Sequence, residues 1–227
     1  MNYKNRLEYG VIVKEQIREG IVMIKNIIFD LGNVIINYNQ KNIINSFTTD
    51  EEETDYIIKE IFNSPEWQLM DLGNITNNEA GDRINKRNNY KYEELTNNFL
   101  QNWYKVQTIN KEVVDLAKKL HSKGYKLYVL SNMANLTFNY FKSNEFFALC
   151  EGIVISAQEH IKKPDEKVFN ILLQRYNLKS EECLFIDDDD TGKSYKTANE
   201  MRILGRVVIP NDVEDIKQML SEFEIEL

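Results

Sequence analysis

Five short apolar runs recur along the chain, and their ends are polar or turn-forming. Ile27-Ile28-Phe29 stops at Asp30, and Tyr125 to Leu130 stops at Ser131-Asn132. Ile153-Val154-Ile155 is a third run. Cys183-Leu184-Phe185-Ile186 runs into the aspartates Asp187 to Asp190, and Val207-Val208-Ile209 is closed by Pro210. Short, continuous, β-branched runs suit strands buried on both faces, as in parallel sheets. Helical patterns fall between them. Lys111 to Ser122 places Val113, Val114, Leu116, Ala117 and Leu120 on one face, with Gly124 as a stop signal. Asp165 to Tyr176 and Asp212 to Phe223 repeat the pattern. Alternating strands and helices imply βαβ units and a sheet wound on both faces.

One stretch departs from this alternation. From Gln40 to Gln107 the patterns are helical, with Glu51 to Phe62 and Tyr92 to Val106 as two of the helices. Thr76-Asn77-Asn78-Glu79 reads as a capping box that opens another. The expected architecture is therefore a doubly wound, Rossmann-like α/β core with a small all-helical domain inserted after the first strand. The expected boundaries are 23–39 with 108–227 for the core and 40–107 for the insert. Residues 1–22 form an N-terminal extension with no strand partner, and Met23-Ile24-Lys25 is a natural beginning for the first strand. A length of 227 residues suits one domain with an insert.

The charge balance narrows the partners. With 36 acidic against 28 basic residues, the net charge is -8, which disfavours nucleic-acid binding but leaves room for a small phosphorylated ligand. Two cysteines, Cys150 and Cys183, are too few for a disulfide framework. No apolar run approaches a membrane span, and no signal-peptide pattern opens the chain, so a cytoplasmic location is expected.

In an open parallel sheet, ligands sit beyond the carboxyl ends of the strands. Asp30, Ser131-Asn132 and Asp187-Asp188 occupy those positions. Converging carboxylates repel unless a cation neutralises them or one stays protonated. An all-oxygen ligand set favours Mg²⁺ over zinc or copper. The alternative for any single aspartate is helix capping. Lys163, in Lys162-Lys163-Pro164-Asp165, stands just before a helix start, where it could reach an anion.

Four pieces in order resemble the motifs of the haloacid dehalogenase superfamily. They are Ile28-Phe29-Asp30-Leu31-Gly32-Asn33-Val34, Leu130-Ser131-Asn132, Lys163-Pro164-Asp165 and Phe185-Ile186-Asp187-Asp188. The helical insert matches that family's cap domain, and Gly73-Asn74-Ile75-Thr76 resembles the cap's specificity loop. Asp-Leu-Gly-Asn-Val is nearest to a subgroup that includes glucose-1-phosphate phosphatases. The resemblance implies a Mg²⁺-dependent phosphatase for a small phosphorylated metabolite, a sugar phosphate among the candidates. Asp30 would be the nucleophile that forms an aspartyl-phosphate. Ser131 and Lys163 would complete the catalytic set, and Gly32, Asn33 and Asn132 would contact the phosphate. Asp30, the Gly32 carbonyl, Asp187 and Asp188 would hold the metal, although four consecutive aspartates leave the choice among Asp187 to Asp190 open.

Phosphatases of this family usually carry a second aspartate where this chain has Gly32. The proton for the leaving group must then come from water, the substrate or a cap residue, and His160 is the first suspect. Two other readings stand beside the phosphatase: a metal-independent 2-haloacid dehalogenase, and a non-catalytic protein that binds a phosphorylated metabolite.

Overall fold

The computed structural model describes residues 23–227; the extension expected over 1–22 lies outside them. The strands are β1 (Asn26–Phe29), β2 (Ile36–Asn37), β3 (Thr108–Ile109), β4 (Lys126–Ser131), β5 (Cys150–Ile155), β6 (Cys183–Asp187) and β7 (Leu204–Val207). Five of them form one parallel sheet in the order β5-β4-β1-β6-β7. The chain thus builds outward from β1 on one side, then returns to fill the other. That reversal leaves a crevice beyond the carboxyl end of β1.

The strand period of two sorts the sheet into two cores. Ile27, Phe29, Leu127, Val129, Leu184 and Ile186 pack on one face, while Ile28, Tyr128, Leu130, Cys183 and Phe185 pack on the other. Continuous apolar runs are therefore required, because neither face meets water. Each fully buried aliphatic or aromatic side chain contributes about 1.5–3 kcal/mol to this packing.

The helices fall into two groups. The insert contains α1 (Gln40–Asn45), α2 (Glu51–Tyr56), α3 (Pro65–Asp71), α4 (Asn77–Arg87) and α5 (Glu93–Asn102). Around the sheet lie α6 (Lys111–Ser122), α7 (Asn135–Phe141), α8 (Glu145–Ala148), α9 (Ser156–Glu159), α10 (Glu166–Arg175), α11 (Lys193–Glu200) and α12 (Val213–Glu222). Helix α6 packs Val113, Leu116, Ala117 and Leu120 on one face of the sheet, and α10 packs Val168, Phe169 and Leu172 on the other. Strands β2 and β3 pair antiparallel at the two ends of the insert, so a two-stranded ribbon ties its entrance to its exit.

Capping explains the helix starts. Thr76 and Glu79 make the reciprocal bonds of a capping box at α4. Asp165 and Asp212 serve as N-caps of α10 and α12, so each helix begins one residue later than its pattern. Pro164 consequently precedes the cap instead of entering the first turn. The helix expected over Glu51 to Phe62 changes to a π-turn at Ile57–Phe62, which keeps Ile57, Ile61 and Phe62 inward. Strand β7 starts at Leu204 rather than Val207, because Leu204 and Gly205 pair with Leu184 and Phe185; Ile209, beyond it, is exposed.

Candidate active site

The sheet register sets the site. Phe29 is abreast of Val129 on β4 and Ile186 on β6, so the strands end side by side, with Asp30 and Asp187 next on β1 and β6 and Ser131 two residues on along β4. The Asp30 amide continues the ladder, donating to the Ile186 carbonyl at 2.9 Å. Asp30 and Asp187 thereby stand at neighbouring strand ends, with Ser131 buried at the end of β4.

Lys163 holds the two carboxylates together. Its Nζ lies 2.6 Å from Asp187 Oδ2 and 3.1 Å from Asp30 Oδ1. The lysine is only 4% exposed, and Nζ also sits 5.2 Å from the centre of the Phe185 ring. Burial disfavours the ammonium, but the charges of Asp187 and Asp30 overcome that and hold its pKa up. Asn132 fixes the main chain of this lysine: its amide donates to the Lys163 carbonyl at 2.9 Å and accepts from the Lys163 N–H at 2.8 Å. Both ends of the Asn132 amide are therefore occupied.

Asp30 is pushed up to about 6. Burial is the largest cause, and the charges of Asp187 and Asp188 add to it; Lys163 and a hydrogen bond from Ser131 pull the other way. Asp188 is also raised, chiefly by burial, against a hydrogen bond from Asn33. That bond runs from Asn33 Nδ2 to Asp188 Oδ2 at 2.8 Å. Asn33 itself has φ of 52°, a left-handed conformation that asparagine tolerates. Its Oδ1 accepts from the Tyr38 N–H at 3.2 Å and from Asn211 Nδ2 at 2.9 Å.

The four aspartates that end and follow β6 divide by role. Asp187 and Asp188 join Asp30 in a cluster whose ligand oxygens lie within 4.8 Å of one another. Asp189 instead accepts from the N–H groups of Thr191 and Ser194, at 3.1 and 2.9 Å, and closes the turn before α11. Burial raises its pKa, but the Thr191 hydroxyl, which donates at 2.6 Å, and those N–H groups outweigh burial and lower it. Asp190 is not in the cluster.

The donor set fits a hard divalent cation. Three carboxylates against one ammonium leave two negative charges. Among the described residues, no N–H group donates to the Gly32 carbonyl, which leaves that oxygen available to a ligand. Gly32 leaves open space where a side chain would stand: a Cβ added there would meet nothing within 4 Å. Its φ is not in the left-handed region.

His160, the first suspect for the proton, is held at one ring nitrogen by the insert. It caps α9 with φ of 57°, and its Nδ1 lies 2.9 Å from the Leu72 carbonyl, tying the insert to the core. Sequence reasoning missed a different group, Asp71, at the end of α3. The available signal was local: an acid in the last turn of a helix opposes the macrodipole.

Comparison with known proteins places the chain in a family and the fold among solved structures. A family model for haloacid dehalogenase-like hydrolases matches residues 24–192. A sesquiterpene phosphatase of Aspergillus oryzae is 22% identical over 165 residues, covering 72% of this chain and 80% of that protein. A HAD family enzyme from Bacteroides thetaiotaomicron, crystallised with magnesium and inorganic phosphate, superposes with a TM-score of 0.69 at 22% identity, covering 83% of this chain and 96% of that one. A HAD-like family hydrolase from Porphyromonas gingivalis gives a TM-score of 0.72 at 21% identity, covering 87% and 98%.

Proposed function

This chain belongs to the haloacid dehalogenase-like hydrolases, and from that premise we propose that it is a Mg²⁺-dependent phosphatase of small phosphate monoesters. The observation that carries the reading is the excess of two negative charges at Asp30, Asp187 and Asp188 around a single buried ammonium. A dehalogenase working without metal has no use for that excess. The relative that is a sesquiterpene phosphatase and the neighbour crystallised with magnesium and phosphate support the same reading.

The residues take these roles. Asp30, with the Gly32 carbonyl, Asp187 and Asp188, would hold Mg²⁺. When bound, the cation supplies positive charge that offsets the repulsion between an anionic nucleophile and an anionic substrate. The Asp30 carboxylate attacks phosphorus, the bond to the leaving oxygen breaks, and an aspartyl-phosphate results. Water then attacks phosphorus, and Asp30 is released with inorganic phosphate. Lys163 pairs with Asp30 and Asp187 and keeps their carboxylates in one geometry. Ser131 and nearby backbone N–H groups hydrogen-bond the phosphoryl oxygens. Asn33 orients Asp188, and Asn132 orients Lys163 through its main chain. Residues 40–107 act as a cap over the crevice.

The body of the substrate is recognised by this cap. Tyr38, Trp103, Trp67 and Phe62 form a connected aromatic group, with ring centroids 4.7–6.5 Å apart, that belongs to the hydrophobic core beneath it. The test is phosphate release from a panel of sugar, prenyl, aryl and alkyl monoesters, with and without Mg²⁺. Hydrolysis of at least one class only with Mg²⁺ is expected; turnover of 2-chloropropionate with no phosphatase activity would reverse the reading.

A further inference from the structure

Asp71 is a carboxyl with no evident structural task. It ends α3, half-buried, and among the described residues no hydrogen bond reaches its side chain; the charge of Lys162 acts on it. A half-buried carboxyl held by no hydrogen bond keeps its donor and acceptor capacity for a ligand.

Its surroundings place it at the rim of the phosphate site. The Asp71 carbonyl accepts from Ser156 Oγ at 2.5 Å, and the same hydroxyl accepts from the Met133 N–H at 2.9 Å. Asp71 is thus one hydroxyl removed from the loop that carries Ser131 and Asn132. On the other side it interacts with Tyr38, whose N–H is bonded to the Asn33 side chain that also holds Asp188. Lys162, next to Lys163, is the nearby cation, and Lys162 Nζ also contacts Gln68 Oε1. The end of α3 is therefore locked between the loops after β1, β4 and β5. Two residues after Asp30, the core offers open space at Gly32 and no acid.

We propose that Asp71, supplied by the insert, is the general acid and base of this phosphatase, taking the work that Gly32 leaves undone. The assignment rests on the phosphatase reading above. In the first step, Asp30 bonds to phosphorus, the bond to the leaving oxygen breaks, and the Asp71 carboxyl gives that oxygen its proton. In the second, the Asp71 carboxylate takes a proton from water as that water attacks phosphorus. The bond from phosphorus to Asp30 then breaks, and both carboxyl groups return to their starting forms. Asp71 is suited to this cycle: burial, opposed by the charge of Lys162, pushes it up to about 7. Tyr38 and Lys162 are the titratable groups that interact with it, and the next residue's carbonyl, that of Leu72, meets His160 Nδ1.

The test compares phenyl phosphate with 4-nitrophenyl phosphate, near-isosteric esters whose leaving groups differ in basicity. Asp71→Asn should lower kcat/KM for phenyl phosphate by about 10²-fold or more. The loss for the nitrophenyl ester should be at least about tenfold smaller, because nitrophenolate leaves without a proton. The Ser156 bond uses the main chain of residue 71, so the docking of α3 survives the substitution. Adding Gly32→Asp to Asp71→Asn should recover part of the loss for phenyl phosphate. A loss equal for both esters, or under about threefold for phenyl phosphate, overturns the assignment whatever the double variant does. If the wild type hydrolyses neither ester with Mg²⁺, the role of Asp71 falls, and if it hydrolyses no monoester of the sugar, prenyl, aryl and alkyl panel, the phosphatase reading falls with it.

Discussion

Lys163 is the residue on which the site depends most, since it separates two buried carboxylates that would otherwise face each other. Lys163→Met should abolish turnover and, without Mg²⁺, lower stability by about 3–5 kcal/mol in urea unfolding, the cost of breaking a buried pair. Asn33 acts one step further out. Asn33→Ala frees Asp188, and calorimetric titration should show Mg²⁺ affinity reduced about 10–100-fold. Asp71 makes a prediction about stability as well as rate. Its folded pKa, about 7, lies above the ordinary carboxylate value. The folded protein therefore binds more protons than the unfolded chain between about pH 4 and pH 7, and stability falls as pH rises through that window. Asp71→Asn removes that slope, so the difference in Tm between pH 5 and pH 8 should shrink. Asp30, Lys163, Asp187 and Asp188 were legible as site residues because strand ends and the family motifs mark them. The engagement of Asn132 with Lys163 was not legible, because it joins loops that only the folded sheet brings together. Asp71 escaped for the same reason: nothing in Met70-Asp71-Leu72-Gly73 says which core loop receives it.

Among the elements, α3 and the turn after it matter most for function. Gly73 has φ of 66°, and a Cβ there would lie 2.0 Å from the Ala157 carbonyl oxygen. Only glycine lets the insert approach the loop after β5 this closely. Gly73→Ala should therefore lift the end of α3, raise KM and lower kcat together, and cost about 1–3 kcal/mol of stability; steady-state kinetics with thermal unfolding would show both. Legibility also varies by element. The helix over Lys111 to Ser122 was read to its ends, because its apolar face, its start and its stop agree. The short helices α1 and α3 carry too few turns for a periodic pattern. The ribbon of β2 and β3 is two residues per strand, and its pairing bridges the whole insert. The start of β7 slipped because Gly205 breaks the apolar run, although its backbone pairs with β6.

At the scale of the whole molecule, one sheet collects what the sequence scatters. The order β5-β4-β1-β6-β7 puts the ends of β1, β4 and β6 side by side, and the loop after β5 inserts Lys163 between the acids. An acidic chain, with net charge -8, gains most from a cation at the one place where its substrate is also an anion. The account stands or falls on that cation and on Asp30 together. The direct measurement is phosphate release from 4-nitrophenyl phosphate by protein dialysed against EDTA, before and after Mg²⁺ is restored, with Asp30→Asn in parallel. Activity absent after dialysis, regained with Mg²⁺ in the wild type and missing in a folded Asp30→Asn protein, is the predicted result. Wild-type activity that persists in excess EDTA, or an Asp30→Asn kcat within about tenfold of wild type, would contradict it.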